Sequence, residues 1–516
     1  MARVNLDALL PREDFEVSES LSPGRKKETI SIEDLKSDSF FLPLVRKPDF
    51  QRETDEWDAD KIVQFIESFV NGDLIPALIL WRSPSGLLFV IDGSHRLSSL
   101  LAWINDDYGD GNTSKSFYDL SIPEEQISAA EETRKLVRKR IGTYSDLRQA
   151  SAKPEKVPPE IISRAKNLGA LAIQLQWVEG DVKTAEKSFF KINQEAVPID
   201  PTELKLLESR KKPNCIAARA IIRAGTGHKY WSRFPDENQA KIQELAKEIN
   251  DVLFSPKLET PVKTLDIPIG GKLYSAQTLP LVLEFVNMTN SVASDFKTTL
   301  ADDDDGSVTI QMLINARRVA QQINSMHHSS LGLHPIVYFY SQDGRHKIAS
   351  FYASVSFVME LYARKKVNDF IKVRASFEKA IIENDYLVQQ INRKFRSAQA
   401  SYPHIRDFFF ALIDLLNKGT KPEDLIAQVI QNTKFDYLTL QQDTPEVTSA
   451  DFSAQRKSAA FIRDAITRAP RCQICKGYMH KNSITIDHIQ RKEDGGIGSI
   501  DNAQLAHPYC NTTFKN

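Results

Sequence analysis

Cys472-Gln473-Ile474-Cys475, Ile484-Thr485-Ile486-Asp487-His488-Ile489 and His507-Pro508-Tyr509-Cys510-Asn511 follow one another in the last part of a 516-residue chain. Two close pairs of soft or borderline ligands, Cys472 with Cys475 and His507 with Cys510, supply the four donors of a closed tetrahedral zinc site. His480 is a rival for the fourth position; His507 is preferred because its separation from Cys510 mirrors that of the first pair. Four protein ligands leave no open position, so this zinc is expected to be structural. The tail has few large apolar residues, and its folding should therefore be coupled to metal binding. Between the pairs, the alternation over 484–489 predicts a strand that ends in a carboxylate and an imidazole.

Working outward, the tail differs in charge from the rest. Residues 456–516 hold ten Lys and Arg against five acids, a local balance of +5, on a chain whose net charge is −1. A basic module on a neutral chain points to phosphate, and a solvated face is the plain alternative. The fourth cysteine, Cys215, stands alone, so clustered thiols read as metal ligands and not as a disulfide framework. No run of 18 apolar residues is present, so no membrane span is expected. Met1-Ala2-Arg3-Val4-Asn5-Leu6-Asp7 lacks the apolar stretch of a secretory signal, and the expected location is cytoplasmic. The length exceeds one hydrophobic core and suggests about three domains.

At the front, residues 1–40 are polar and without strong periodicity. Ile62, Val63, Phe65, Ile66, Phe69 and Val70 recur at helical spacing, with Asn71-Gly72 as the stop. Two apolar runs, 77–81 and 87–91, flank Ser83-Pro84-Ser85-Gly86 and predict two strands joined by a turn. A helix is expected over 97–103, a polar loop over 104–116, and mostly helices from about 160 to 450, interrupted by an acidic loop over 302–306. Tyr338-Phe339-Tyr340 with Asp343-Gly344-Arg345-His346 reads as a hairpin with core aromatics, or as rings and cations that grip DNA. The cations of 364–396 read as a solvated helix face.

Asp92-Gly93-Ser94-His95-Arg96 separates a strand from a helix. One reading is a hairpin turn at Asp-Gly. The other is an anion site, in which the helix start, Arg96 and a protonatable His95 receive phosphate. Phe50-Gln51-Arg52 and Trp57 precede this motif; Phe190-Lys191-Ile192-Asn193 and Val197-Pro198-Ile199-Asp200 follow it, and Asp200-Pro201-Thr202-Glu203 has the pattern of a helix start.

Paired cysteines, Asp-His on a strand, Gly495-Gly496, Asn502 and then Cys510-Asn511 together resemble the HNH endonuclease family. That resemblance implies His488 as general base, Asp487 and Asn511 as holders of a catalytic Mg²⁺ or Mn²⁺, and Asn502 as the residue that orients the loop around His488. Two features depart from the family: His507 stands in place of the first cysteine of the second pair, and the helix that normally follows Asn511 is clipped. The front motifs, over about 40–210, resemble the ParB/sulfiredoxin-like domain with a DGQQR motif found in GmrSD-like and SspE-like restriction enzymes. Here Ser94-His95 replaces Gln-Gln, while Asp92 and Arg96 are kept. The resemblance implies a nucleotide or phosphate site of Asp92, Gly93, Ser94, His95, Arg96, Gln51, Arg52 and Asn193, with an NTP as ligand.

The expected architecture is α+β and multidomain: a ParB-like α/β sensor over 1–210, a mainly helical middle over 211–450, and a zinc-stapled ββα-metal module over 451–516. The expected function is an HNH endonuclease gated by a sensor of nucleotide or modified phage DNA, in modification-dependent (type IV-like) restriction. The alternatives are an RNA-directed or non-specific HNH effector, and a non-enzymatic ParB-like DNA binder with a zinc tail. The second of these leaves the combination of Asp487, His488, Asn502 and Asn511 unexplained, because a zinc fold requires none of them. DNA and nucleotide are the expected partners, no membrane is expected, and a homo-oligomer is left open.

Overall fold

A computed structural model describes residues 3–13, 15, 26–48, 51, 54–118, 120, 122, 124–152, 159–196, 209–226, 230–273, 278–293, 300–441 and 451–515. The chain forms two compact units, Met1–Arg210 with Thr226–Tyr230, and Lys211–Gly225 with Trp231–Asn516.

The first unit is built on a mixed sheet of six strands: β1 (Arg12–Glu13), β2 (Thr29–Ser31), β3 (Val45–Pro48), β4 (Leu78–Arg82), β5 (Leu88–Asp92) and β6 (Ala172–Val178). They lie in the order β1-β3-β5-β4-β6-β2. β4 and β5 form the expected hairpin, closed by the hydrogen bond from Ser83 N–H to Leu87 C=O at 2.9 Å, with Gly86 at φ +88°. β5 lies between β3 and β4 and is buried on both faces. Because strand side chains alternate, Leu88 and Val90 enter one core cluster while Phe89 and Ile91 enter the other.

Helix α1 (Ala59–Asn71) puts Ile62, Val63, Ile66, Phe69 and Val70 into the first cluster. Asp58 caps it by accepting from Lys61 N–H, and Gly72 ends it in the left-handed conformation. Helix α2 (Ser94–Asn105) adds Leu97, Leu100, Leu101 and Trp103. On the opposite face, the helix Val182–Ala196 contributes Ala185 and Phe189.

Three local expectations for this unit are corrected. The opening segment is not merely polar: Val4, Leu6, Leu9 and Leu10 are core residues, in a stretch too short to show a period. The stretch expected as a loop over 104–116 runs into the helix Asn112–Phe117, nucleated by Asp107, whose carboxylate accepts from the N–H groups of Gly109, Gly111 and Ser114. β6 lies where helices were expected, because Ile173 and Leu175 alternate with polar residues and pack into the first cluster.

In the second unit, helices dominate up to residue 430. Phe357, on the helix Ile348–Ala363, meets Phe370, Phe377, Phe409 and Phe410 with ring centroids 5.3–5.9 Å apart. The acidic loop has a capping role: Asp303 accepts from Gly306 and Thr309 N–H and starts the helix Ser307–Ile323. Tyr338, Phe339 and Tyr340 are buried, and Tyr340 pairs with His346 in an isolated antiparallel bridge, which is the core-aromatic reading of that motif. The final segment of this unit is a two-stranded antiparallel sheet of β7 (Thr485–His488) and β8 (Ala503–Ala506), followed by one helical turn, Cys510–Phe514.

Candidate active site

Cys472, Cys475, His507 and Cys510 are all buried, and their ligand atoms lie within 4.8 Å of one another. The first pair sits on a tight turn in which Lys476 N–H bonds to Cys472 C=O and Cys472 N–H to Gly477 C=O, both at 2.9 Å. His507 Nε2 is 3.0 Å from the Tyr478 carbonyl, which can only accept, so Nε2 carries the proton and Nδ1 keeps its lone pair. That lone pair faces the cluster, with Nδ1 3.4 Å from Cys475 Sγ. A backbone carbonyl orienting the remote nitrogen is the usual support of a ligating histidine. Three thiols and one imidazole at this spacing fit a tetrahedral zinc ion. Hydrogen bonding among the three thiols lowers the pKa of Cys472 and raises that of Cys510, so the cluster titrates as one group and gives up its protons to a bound metal. His480 stands outside the cluster; its Nδ1 meets the Asn324 side chain at 3.1 Å, and burial pushes its pKa down to about 4.

Arg374, fully buried on the helix Val367–Glu383, braces this cluster. Its guanidinium donates to Glu378 Oε1 at 2.7 Å, to Leu331 C=O at 2.5 Å and to Gly332 C=O at 3.0 Å, and lies 3.2 Å from His507 Nδ1. Glu378 also accepts from Tyr338 O–H and from Tyr478 N–H. Gly332 and Gly477 admit no side chain here: an added Cβ would stand 2.5 Å from the His507 ring and 2.3 Å from Arg374 Nε, respectively.

The zinc-type cluster and the β7–β8 pair carry the remaining tail residues. Alternation along β7 turns Asp487 inward, 7% exposed, and places Ile486 and His488 on the opposite, more open face. Asp487 Oδ2 accepts from Gln504 Nε2 and Lys515 Nζ, each at 2.7 Å. Lys515 Nζ also donates to the His488 carbonyl. Asn511 lies against the same strand, its amide donating to Thr485 Oγ1 at 3.2 Å and Ile486 C=O at 3.3 Å. Asn502 closes the loop that follows His488: its amide donates to Gln490 C=O and Ile497 C=O, and its Oδ1 accepts from Gln490 N–H at 2.7 Å. Gly496 belongs to that loop, where an added Cβ would stand 2.0 Å from Gln490 C=O.

In the first unit, β5 ends at Asp92 and α2 begins at Ser94, so Gly93 is a helix N-cap and not a hairpin turn. Its φ of +97°, and an added Cβ only 2.3 Å from Leu78, make glycine necessary there. Arg96 donates to Asp92 Oδ2 at 2.5 Å and to the carbonyls of Pro76 and Ala77 at 2.6 and 3.1 Å. Ser94 Oγ accepts from Gln51 Nε2 at 3.1 Å, while the buried Gln51 Oε1 has no hydrogen-bond partner among the described residues. His95 stacks on Trp57 with centroids 5.5 Å apart, and its Nε2 accepts from Glu56 N–H. Phe50, Arg52 and the motif over 197–203 lie outside the described residues. Asn193 is on the helix Val182–Ala196, and its side chain is likewise outside them.

The model of the HNH endonuclease family matches residues 472–516, and that of the GmrSD restriction endonuclease N-terminal domain matches residues 32–207. The chain joins a GmrSD-type N-terminal domain to an HNH endonuclease domain. No curated protein and no solved structure matches it. This pairing supports a restriction-type HNH nuclease with DNA as its partner. Among the described residues, no helix is long and apolar enough to cross a membrane.

Sequence reasoning missed two residues of the HNH domain's surroundings. Arg374 was grouped with solvated helix cations, and nothing local distinguishes it from its neighbours. Lys515 left a faint signal: it stands four residues after Asn511, one helical turn on.

Proposed function

We propose that the HNH domain hydrolyses the DNA backbone with His488 as general base. Its imidazole is on the open face of β7, on a strand whose next residue inward is a carboxylate and against which Asn511 is docked. That juxtaposition of Asp487 and His488 on β7 with Asn511, on the turn after β8, docked against the strand beside the four-ligand cluster carries the reading. His488 takes the proton of the attacking water, a role suited to an imidazole near neutral pH. Asn502 keeps the 489–502 loop closed and so fixes the end of β7. Asp487 and the Asn511 amide offer oxygen ligands, the kind a hard divalent cation takes, and the Lys515 ammonium on Asp487 supports this reading of the carboxylate. When bound, Mg²⁺ or Mn²⁺ supplies charge neutralisation at the phosphate.

The GmrSD-type domain is proposed as the sensor. Supporting this are the glycine-capped start of α2, Ser94 beside the buried Gln51 amide, and the His95–Trp57 stack, which together make a polar niche for a phosphate or nucleotide. Arg52 and Asn193 are proposed as further contacts. Gating of the cutter by nucleotide or by modified phage DNA would make the protein a modification-dependent restriction enzyme in phage defence, with NTP hydrolysis at the front site.

Plasmid cleavage with Mg²⁺, on modified and unmodified DNA, tests the reading. The wild type is expected to cut, and His488→Ala to lose about 10² to 10⁴ in rate while keeping its zinc. Undiminished cleavage by His488→Ala removes the assignment.

A further inference from the structure

The nuclease centre holds a cation that neither family match assigns. We propose that Lys515 is a phosphate-binding residue of this centre, held on Asp487 in the free protein and drawn off by DNA, so that substrate binding opens the carboxylate to the divalent ion. The proposal rests on the DNA-cutting reading above.

Asp487 is nearly buried, and a buried carboxylate needs a compensating charge. Gln504 provides a neutral hydrogen bond, and the charge comes from Lys515 Nζ, 2.7 Å from Oδ2. The same ammonium reaches the His488 carbonyl, with the Ile489 carbonyl 3.5 Å away. One carboxylate and two carbonyl oxygens thus converge on a positive centre at the end of β7. Oxygens of these two kinds are the ligands of hard divalent cations, so the ammonium and a divalent ion compete for Asp487.

The Lys515 side chain remains 19% exposed on a flexible stem and can leave without crossing protein. Its backbone carbonyl accepts from Arg491, so the cation is anchored beside the His488 loop even when the side chain moves. A DNA phosphate arriving at the end of β7, where Lys515 Nζ already reaches the His488 and Ile489 carbonyls, offers the ammonium a second anionic partner. The exchange conserves charge: the ammonium passes from carboxylate to phosphate, and the carboxylate is left to the divalent ion. By linkage, DNA and the divalent ion then raise each other's affinity by the same factor.

The test uses the zinc-loaded full chain in a His488→Ala background, a short duplex, and Mn²⁺ read by its electron paramagnetic resonance signal. Without DNA, Lys515→Met is expected to bind Mn²⁺ about tenfold more tightly than the Lys515 protein, a typical coupling. Duplex should tighten Mn²⁺ binding to the Lys515 protein by a clearly larger factor than to Lys515→Met, which keeps only the direct attraction between ion and phosphate. The slope of log DNA affinity against log salt should fall by about 1 in Lys515→Met and be retained in Lys515→Arg. Zinc content verifies that each variant is folded. Equal Mn²⁺ affinity with and without Lys515, or an unchanged salt slope, overturns the proposal. Cleavage by the protein with His488 intact is scored separately. If it cuts and the Lys515 effects are absent, this inference alone fails. If it does not cut while the Mn²⁺ and salt effects persist, the exchange stands and the nuclease reading fails.

Discussion

Arg96 and Arg374 show how differently two arginines can be used. Arg96 follows a Gly at a helix start, the setting of a phosphate ligand. Its guanidinium ties Asp92 to the carbonyls of Pro76 and Ala77, joining the end of β5 to the chain entering β4. Any phosphate at this turn would have to share that fork. Arg96→Ala is therefore expected to destabilise the first unit by about 1.5 to 3 kcal/mol, the range for one hydrogen bond to a charged group. Thermal unfolding of the full chain with zinc content unchanged measures this. An unaltered first-unit transition would show the three bonds to be dispensable.

Among elements, those with a strong local period were legible. The apolar stripe of α1, the two runs of the β4–β5 hairpin and the alternation of β7 each state their partners' side within a few residues. β6 and the opening segment were not, because their apolar positions gain meaning only from the cluster they complete. The helix Val367–Glu383 shows the same limit: it is dotted with cations, yet Arg374 points into the fold and pairs with Glu378. Removing one partner of a buried ion pair leaves the other charge uncompensated. Arg374→Met should cost about 3 to 5 kcal/mol in urea unfolding, and adding Glu378→Gln should recover part of that loss. A single variant as stable as wild type contradicts the bracing role.

For the whole molecule, the zinc-type cluster is not an appendage of the helices before it. Tyr509 N–H bonds to Ser330 C=O, Tyr478 N–H to Glu378, and Arg374 touches His507, so the cluster and the helical segment lie in one compact unit. Removing zinc with a chelator should therefore lower the Tm of the second unit as a whole, including its aromatic core around Phe357, because metal binding and folding are coupled. Near-ultraviolet circular dichroism follows that core. Melting of the core at the same temperature with and without zinc would mean that the tail unfolds by itself.

The ligand pairs, the Asp487-His488 strand and the glycine loop were determined by sequence alone, since ligand spacing, strand period and turn chemistry act over a few residues. Spacing from Cys510 favoured His507 over His480; tertiary structure bears this out, with His507 in the cluster, and seats His480 on Asn324. It also decided that an arginine 133 residues before His507 would brace it, and that Lys515 would neutralise Asp487. Such contacts join groups whose proximity comes from the packing of separate elements, and that packing leaves no periodic mark at either position.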